Sequence, residues 1–480
     1  MKVLLIQPIA YTPGYSFFNP EKASNIGLLY IASMAERFGC DVAIDFATGY
    51  NLEGVLSRHS PDIVGFSCST AQSPLVKEFI KRTKEFDKSV KVIVGGHHAT
   101  FRDREILIDS PADVVVRGEG DLTFLDLLKF FKEGTPKLKN IAGISFVKNK
   151  RIVVNQQRPL ISNLDSLPFP ARHLLDFKYE RISTSRGCPF SCKFCSISSF
   201  YGSTWRARSV DSVIKEIETM LDLKIRNLSI IDDNFFTNPK RVVEICKKII
   251  EHGFDIRFKV EGSINILDKH PEMLDVLCEA GCEVIALGLE SGVQDILDSY
   301  NKKLTIEQIK SVAKMLEDYD ICKVWLAIVG SGDKFDSPEY IRKHVDFLLS
   351  IPYDIIQISI LTPFPGTQLF TELEKEGRIL TYDWKKYDCC HCVYRPLNMS
   401  PEQLENMWLD TIKEMFTNGG WIKSIKRYMK ILKITRLSPM RALSLISTAV
   451  QFWLSGMKEK EIFFEAEKKK FEKRVRKNYS

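Results

Sequence analysis

Residues Thr184–Ser196 read TSRGCPFSCKFCS, and the spacing of the cysteines in this stretch governs how the rest of the chain is read. Cys188, Cys192 and Cys195 fall within eight residues, four and then three apart. Thiolates so arranged bind zinc, copper or an iron–sulfur cluster. A closed zinc site takes four ligands, and the loop offers no fourth Cys and no His. A four-iron cluster can be held by three cysteines, leaving one iron open to a small molecule. A structural zinc knuckle and an open iron–sulfur centre are therefore the two readings of the loop.

Outward from the loop, short apolar runs alternate with helical stretches. RISTSRG, NLSIIDDNF, IRFKVEGSI, EVIALGLES, KVWLAIVGSG and IIQISILTPFPGT are separated by helical segments such as 209–223 and 238–252. Such runs, each followed by polar or glycine residues and then an amphipathic helix, are what βα repeats produce. Six repeats predict an open, partial (β/α)6 barrel with its chemistry at the carboxyl ends of the strands. Nearer the start, KVLLIQP, DVAIDFA, DIVGFSC, VKVIVGG and DVVVRGEG predict five buried parallel strands of a doubly wound, Rossmann-like sheet. Its ligand rim is expected at Ser67–Thr70, Gly95–Thr100 and Arg117–Asp121. The fold class is α/β. The expected boundaries are 1–140 for the first domain, 141–178 for a linker with a small hairpin, 179–397 for the partial barrel and 398–480 for a helical, basic C-terminal region.

Composition narrows the class. The 480 residues are 44% apolar and 27% charged, which describes a globular chain of several cores. The opening MKVLLIQP has too short an apolar run for a signal peptide or a membrane span, so a cytoplasmic location is expected. Twelve cysteines without an export signal point to reduced thiols, with Cys246, Cys278, Cys282 and Cys322 read as core residues. The net charge of +7 is uneven: seven Lys or Arg and no acid lie between Lys423 and Arg441. Within 422–457, Lys423, Lys426, Lys430 and Lys433 would form one helical stripe beside apolar residues. That pattern suits peripheral contact with the inner membrane face or an acidic, lipid-like substrate; a solvated face packed on the barrel is the alternative. No recognition motif accompanies the charge, and no nucleic-acid partner is expected.

CxxxCxxC after the first strand of a βα barrel resembles the radical S-adenosylmethionine enzymes. WRARS (205–209), IDDNFF (231–236), GLES (288–291) and LTPFPGT (361–367) follow in the order of the subgroup with an N-terminal cobalamin-binding domain. The resemblance covers about residues 1–400. It implies that Cys188, Cys192 and Cys195 each bind an iron of a 4Fe-4S cluster and that S-adenosylmethionine chelates the fourth. One electron from an external reductant of the flavodoxin or ferredoxin type would cleave the sulfonium to a 5′-deoxyadenosyl radical. Phe194, Asp232, Asn234, Glu261, Ser263 and Glu290 are the implied S-adenosylmethionine contacts, although Phe194 would serve equally as a core aromatic and Asn234 as a helix cap. Ser67, Ser69, Thr70, Gly95, Gly96 and Glu119 are the implied cobalamin contacts, with Glu119 alternatively part of a loop turn. One departure is that the DxHxxG segment is absent, and neither His97 nor His98 is assigned to cobalt. In DCCHC (388–392), Cys392 facing the barrel mouth is a candidate catalytic hydrogen donor, while Arg206 and Arg208 are expected to pair with surface acids. The implied function is methylation of an unactivated carbon of a small-molecule or lipid-like substrate. A cyclase or C–C bond-forming enzyme acting on a tetrapyrrole or lipid, and a non-catalytic iron–sulfur or corrinoid carrier, are the alternatives.

Overall fold

The computed structural model describes residues 1–10, 25–175, 179–417, 468–469 and 471–473. β1 (Lys2–Pro8), β2 (Asp41–Ala47), β3 (Ile63–Ser67), β4 (Lys91–Gly95) and β5 (Val114–Val116) pair in parallel in the order β2-β1-β3-β4-β5. Burial of both faces explains the apolar runs of β1, β3, β4 and β5, whereas β2 is the half-buried edge strand. Leu4 and Ile6 of β1 join Val64, Phe66, Val92 and Val94 in one core, whereas Val3 and Leu5 join Ile63, Ile93 and Val114 in the other. Helices Leu52–His59 and Ser73–Phe86 cover the first face, and Ile26–Arg37 and Asp121–Glu133 the second.

The hairpin expected in the linker extends this sheet instead. β6 (Ile144–Lys148) pairs antiparallel with β5, and β7 (Arg151–Val154) with β6, giving seven strands. Ile144 and Phe146 sink into the second core, so the hairpin is bound to the sheet by its own apolar residues.

β8 (Tyr179–Ile182) opens the second sheet. A short antiparallel ribbon follows, β9 (Ser185–Gly187) with β10 (Trp205–Ala207). Then come β11 (Asn227–Ile230), β12 (Arg257–Gly262), β13 (Cys282–Glu290), β14 (Cys322–Val329) and β15 (Ile355–Ile360). The order is β15-β14-β13-β12-β11-β8, all parallel, with β15 and β8 unpaired to each other, which is an open six-stranded barrel. Cys246, Cys282 and Cys322 are buried, and Cys278 packs half-buried against the same core. The helix Pro401–Thr417 backs the β15 edge, with Trp408 Nε1 donating to the Ile358 carbonyl at 3.1 Å. No helix among the described residues is long and apolar enough to cross a membrane. The basic segment 422–457 lies outside the described residues.

Contacts of two kinds join the sheets to each other. The first is ionic: Arg186 on β9 donates to Glu119 (2.9 Å) and, through both terminal nitrogens, to Asp121 (2.9 and 3.1 Å). Arg206 on β10 reaches both oxygens of Glu119 (2.9 and 3.1 Å) and the Ile161 carbonyl (2.6 Å). The second is aromatic: Trp384 Nε1 donates to Glu105 at 2.6 Å, while the Arg102 guanidinium lies 5.2 Å from the Trp384 ring and 4.9 Å from Phe370. The expectation that Arg206 and Arg208 meet surface acids is thus corrected. Arg206 pairs with a buried glutamate of the first sheet, and Arg208 with Glu216, whose side chain is fully enclosed.

Glu216 also holds Arg172 at 2.6 Å, and Glu180 lies 3.6 Å from the same guanidinium, so two buried carboxylates are shared by two buried guanidiniums. Glu216→Leu is expected to destabilise the chain by about 3–5 kcal/mol, because buried Arg208 then loses its carboxylate and Arg172 keeps only the longer contact with Glu180. Urea unfolding followed by circular dichroism reads this, and an unchanged midpoint contradicts it.

His98 supplies a pH dependence. It is 1% exposed, sits edge-on to Trp384 at 5.0 Å, and neither ring nitrogen has a hydrogen-bond partner. Burial, with Lys77 and Arg102 nearby, pushes its pKa down to about 3. The unfolded chain therefore takes up this proton first, so stability present above about pH 6.5 is lost as pH falls. The loss reaches about 2 kcal/mol by pH 5. His98→Leu is expected to flatten the decline in unfolding midpoint between pH 7 and pH 5; an equally steep decline in the variant counts against the buried histidine.

Candidate active site

The cysteine loop hangs between β9 and the helix Ser196–Tyr201, on the carboxyl side of the barrel. Gly187, the residue before the first cysteine, has φ +88°, and a Cβ there would stand 2.1 Å from the Thr204 carbonyl oxygen; only glycine lets the ribbon close at this point. Its N–H donates to Asp233 at 2.8 Å. Within the loop the Cys195 N–H donates to the Cys192 carbonyl at 3.0 Å, and Ser198 Oγ to the Cys195 carbonyl at 2.8 Å. From outside, the Lys193 N–H donates to the Tyr300 carbonyl (2.9 Å) and Asn301 Nδ2 to Ser191 (2.9 Å to Oγ, 3.0 Å to the carbonyl).

Cys188, Cys192 and Cys195 are free, half-buried thiols near enough to perturb one another. Burial raises all three, Cys192 to about 11. Deprotonated sulfurs here need an adjacent positive charge, which bound iron provides. Among the described residues no group of three or more His, Cys, Asp or Glu is gathered tightly enough for a single metal ion. Three thiols without a fourth protein ligand are a donor set that suits a polynuclear centre with one open iron.

The residues expected to touch S-adenosylmethionine separate into two groups. Asp232 faces inward: its oxygens accept from the Thr184 N–H (2.6 Å), Thr184 Oγ1 (2.5 Å) and Ser185 Oγ (2.6 Å), bracing β8 against β11 at 2% exposure. This corrects its assignment, since the group is buried and both oxygens are hydrogen-bonded within the fold. Its neighbour Asp233 faces the mouth. It is open to solvent within a concavity that protein surrounds on most sides, and this desolvation, with Asp232 and Glu261 nearby, raises its carboxyl to about 6. Glu261 ends β12 exposed beside it. Asn234 and Ser263 are joined, with Asn234 Nδ2 donating to Ser263 Oγ at 3.0 Å and the Ser263 N–H donating back at 3.2 Å. Glu290 ends β13 with φ +62° and pairs with Lys302 Nζ at 2.7 Å. Phe194 packs edge-on to Tyr300 at 5.1 Å between loop and core.

On the first sheet, Ser67, Ser69, Thr70, Gly95 and Gly96 gather at the carboxyl ends of β3 and β4. Ser67 Oγ accepts from Asn25 Nδ2 (3.0 Å), and the exposed Ser69 donates to Gln72 (2.8 Å). Thr70 is mostly buried, and its carbonyl accepts the Ser73 N–H. Gly96, at φ +108°, lies against the Cys68 carbonyl oxygen, 2.8 Å from where its Cβ would be, so its need for glycine is internal to the rim. His97 reaches across to stack on Phe200 of the helix following the cysteine loop, ring centres 4.4 Å apart. The two rims therefore meet. Trp205 Nε1 and the Nε and Nη2 of Arg206, on the ribbon between them, are buried donors without partners, as a ligand rich in acceptor oxygens would require.

Two further assignments fail on geometry. Glu119 is spent on Arg186, Arg206 and the Ile161 N–H (2.8 Å), which leaves no oxygen for a corrin amide. Cys392 is buried, its Sγ donating to the Tyr394 carbonyl (3.2 Å) and its N–H to Glu405 of the C-terminal helix (2.7 Å), so it does not face the barrel mouth. Cys389, with φ +67° and its carbonyl accepting the Ile360 N–H, is the thiol beside the end of β15. Sequence reasoning missed Lys302, Asn301 and the priority of Asp233. The carboxylate doublet was the one available signal, and it does not say which member faces inward.

Comparison with known proteins agrees with this architecture. The radical SAM superfamily model matches residues 182–348, and the B12 binding domain model matches residues 20–128. An uncharacterized methyltransferase of Pyrococcus horikoshii is 31% identical over 431 residues, covering 84% of this chain and 92% of the relative. The bacteriochlorophyllide d C-12(1)-methyltransferase of Chlorobaculum tepidum is 26% identical over 429 residues, 88% of this chain and 89% of the relative. The cobalamin-dependent S-adenosylmethionine radical enzyme OxsB, solved with aqua-cobalamin and S-adenosylmethionine bound, superposes with a TM-score of 0.70 at 17% identity, covering 99% of this chain and 80% of that one, and so shares the fold. With both domain models matched in order and a methyltransferase relative spanning most of its length, the chain belongs to the cobalamin-dependent radical S-adenosylmethionine methyltransferase family.

Proposed function

We propose that the chain methylates an unactivated carbon of a small molecule bound in the cleft between its two rims. The observation that carries this reading is the approach of the rims: His97, beside the glycines of β4, stacks on the helix that follows the cysteine loop. When bound, the cluster and S-adenosylmethionine supply a radical able to remove an unactivated hydrogen, and cobalamin supplies the methyl group.

In this reading Cys188, Cys192 and Cys195 hold the cluster. Glu290, Glu261 and Asp233, carboxylates at successive strand ends, receive the ammonium and ribose hydroxyls of S-adenosylmethionine, and Phe194 lies near its adenine. The Asn234–Ser263 pair shapes the floor beneath them. Asp233, raised to about 6, is the group able to hold a proton close to neutral pH at the mouth. Ser67, Ser69, Thr70 and Gly95 supply small polar surface for the cobalamin tail. An external one-electron reductant supplies the electron that the cluster passes to the sulfonium. The preference for a small molecule rests on the bacteriochlorophyllide methyltransferase relative. The lipid-like alternative rests on the segment 422–457, outside the described residues.

The reading is tested by anaerobic reconstitution with iron and sulfide, followed by dithionite and S-adenosylmethionine. Release of 5′-deoxyadenosine is expected, falling below detection in Cys192→Ala. Protein produced with cobalamin is expected to retain it in about equal amount, seen in its absorbance spectrum. Absence of nucleoside release from protein carrying a full cluster would leave the chain a carrier rather than an enzyme.

A further inference from the structure

Tyr300, Asn301 and Lys302 follow the short helix Gln294–Ser299 and address the cysteine loop one after another. The Tyr300 carbonyl accepts the Lys193 N–H, Asn301 Nδ2 donates twice to Ser191, and the Tyr300 hydroxyl anchors the segment to the Gly330 carbonyl. Lys302 then places its ammonium within electrostatic reach of Cys192 and Cys188. Its side chain is 16% exposed, and its partner is Glu290, at 11%.

The strand end is built around this pair. Gly288 leaves the space: a Cβ there would stand 2.6 Å from Glu290 Oε1 and 2.8 Å from Lys302 Nζ. The β13–β14 register shifts between Gly288 and Glu290, and Glu290 takes a left-handed φ of +62°, a conformation a non-glycine residue adopts at a cost. The other lysine of the loop does not compete, because Lys193 turns its ammonium to Glu372 at 2.5 Å. On the opposite side Asp233 brings negative charge to Cys188 and Cys195.

We propose that Lys302 is a positioning residue that makes the bound iron–sulfur centre easier to reduce, and that Glu290 opposes it from the same ion pair. The inference rests on the reading that Cys188, Cys192 and Cys195 hold a cluster. Reduction adds one negative charge to a centre in a poorly solvated pocket, where a nearby cation lowers the energy of the reduced form and a nearby carboxylate raises it. The pair also lets strand β13 present Glu290 to a ligand without leaving its charge uncompensated.

The test is an EPR-monitored redox titration of the reconstituted protein without S-adenosylmethionine, so that contacts of Glu290 to the nucleoside play no part. Lys302→Met is expected to disfavour reduction by about tenfold, a shift of about 59 mV to more negative potential for a one-electron couple. Glu290→Gln is expected to shift it the other way, and Lys302→Arg to restore the wild-type value. Iron content separates the two levels of the claim. If wild-type protein assembles no four-iron cluster, the cluster reading falls and this inference with it. If all variants carry a full cluster and titrate together, or Lys302→Met and Glu290→Gln shift in the same direction, the inference alone is overturned.

Discussion

Everything that makes a shared cleft depends on the buried ionic clasp of Glu119 and Asp121 with Arg186 and Arg206. These groups are 13% exposed or less, and they join the third ligand-rim loop of the first sheet to the ribbon carrying the cysteine loop. Burying four charges is expensive unless each is paired and the spare donors and acceptors are met. Here Asp121 takes a bidentate guanidinium, Glu119 takes two, and the Ile161 backbone supplies both a donor and an acceptor, while Nε and Nη2 of Arg206 stay without partners. Guanidinium groups tolerate such sites because the charge is spread over a plane that also stacks, as Arg186 does 5.0 Å from Tyr30 and Arg206 does 5.4 Å from Tyr201. Lysine in either place would lose both the fork and the stacking.

The clasp sets the electrostatics of the cleft. Its arginines are consumed by acids, so they leave little free positive charge near the cysteines. The thiols are raised by burial, Asp233 is raised by burial and by its acidic neighbours, and Lys302 is the cation within reach of Cys192. A pocket of this kind disfavours bare thiolates and rewards a bound positive centre. A cluster therefore adds charge where the protein has withheld it, and Lys302 and Glu290 can bias its reduction from close range.

Local pattern carried most of the fold. Two-sided burial wrote β1, β3, β4 and β5 as apolar runs, and the βα spacing of the barrel follows directly from helix and strand periods. The cysteines were legible because all three lie on one loop. What could not be read was non-local. Glu119 finds Arg186 67 residues away, a partnership that no window of sequence contains, so a domain clasp looked like a turn. Asp232 and Asp233 are adjacent, and which one enters the mouth depends on how β11 leaves the sheet. Cys392 was the candidate expected to face the barrel mouth, yet its N–H is tied to Glu405 of the helix Pro401–Thr417 and its thiol to the Tyr394 carbonyl. The hairpin β6–β7 looked like a linker because its strands are short, and its place is set by the open edge of β5.

The central claim is that the clasp holds a corrinoid on the first rim close to an iron–sulfur centre on the second. EPR spectroscopy of protein loaded with Co(II) cobalamin and a one-electron-reduced cluster tests it most directly. The account requires magnetic interaction between the two spins, seen as broadening or splitting of both signals, that weakens in Glu119→Gln. Two unperturbed spectra, each identical to that of protein carrying one centre alone, would contradict it.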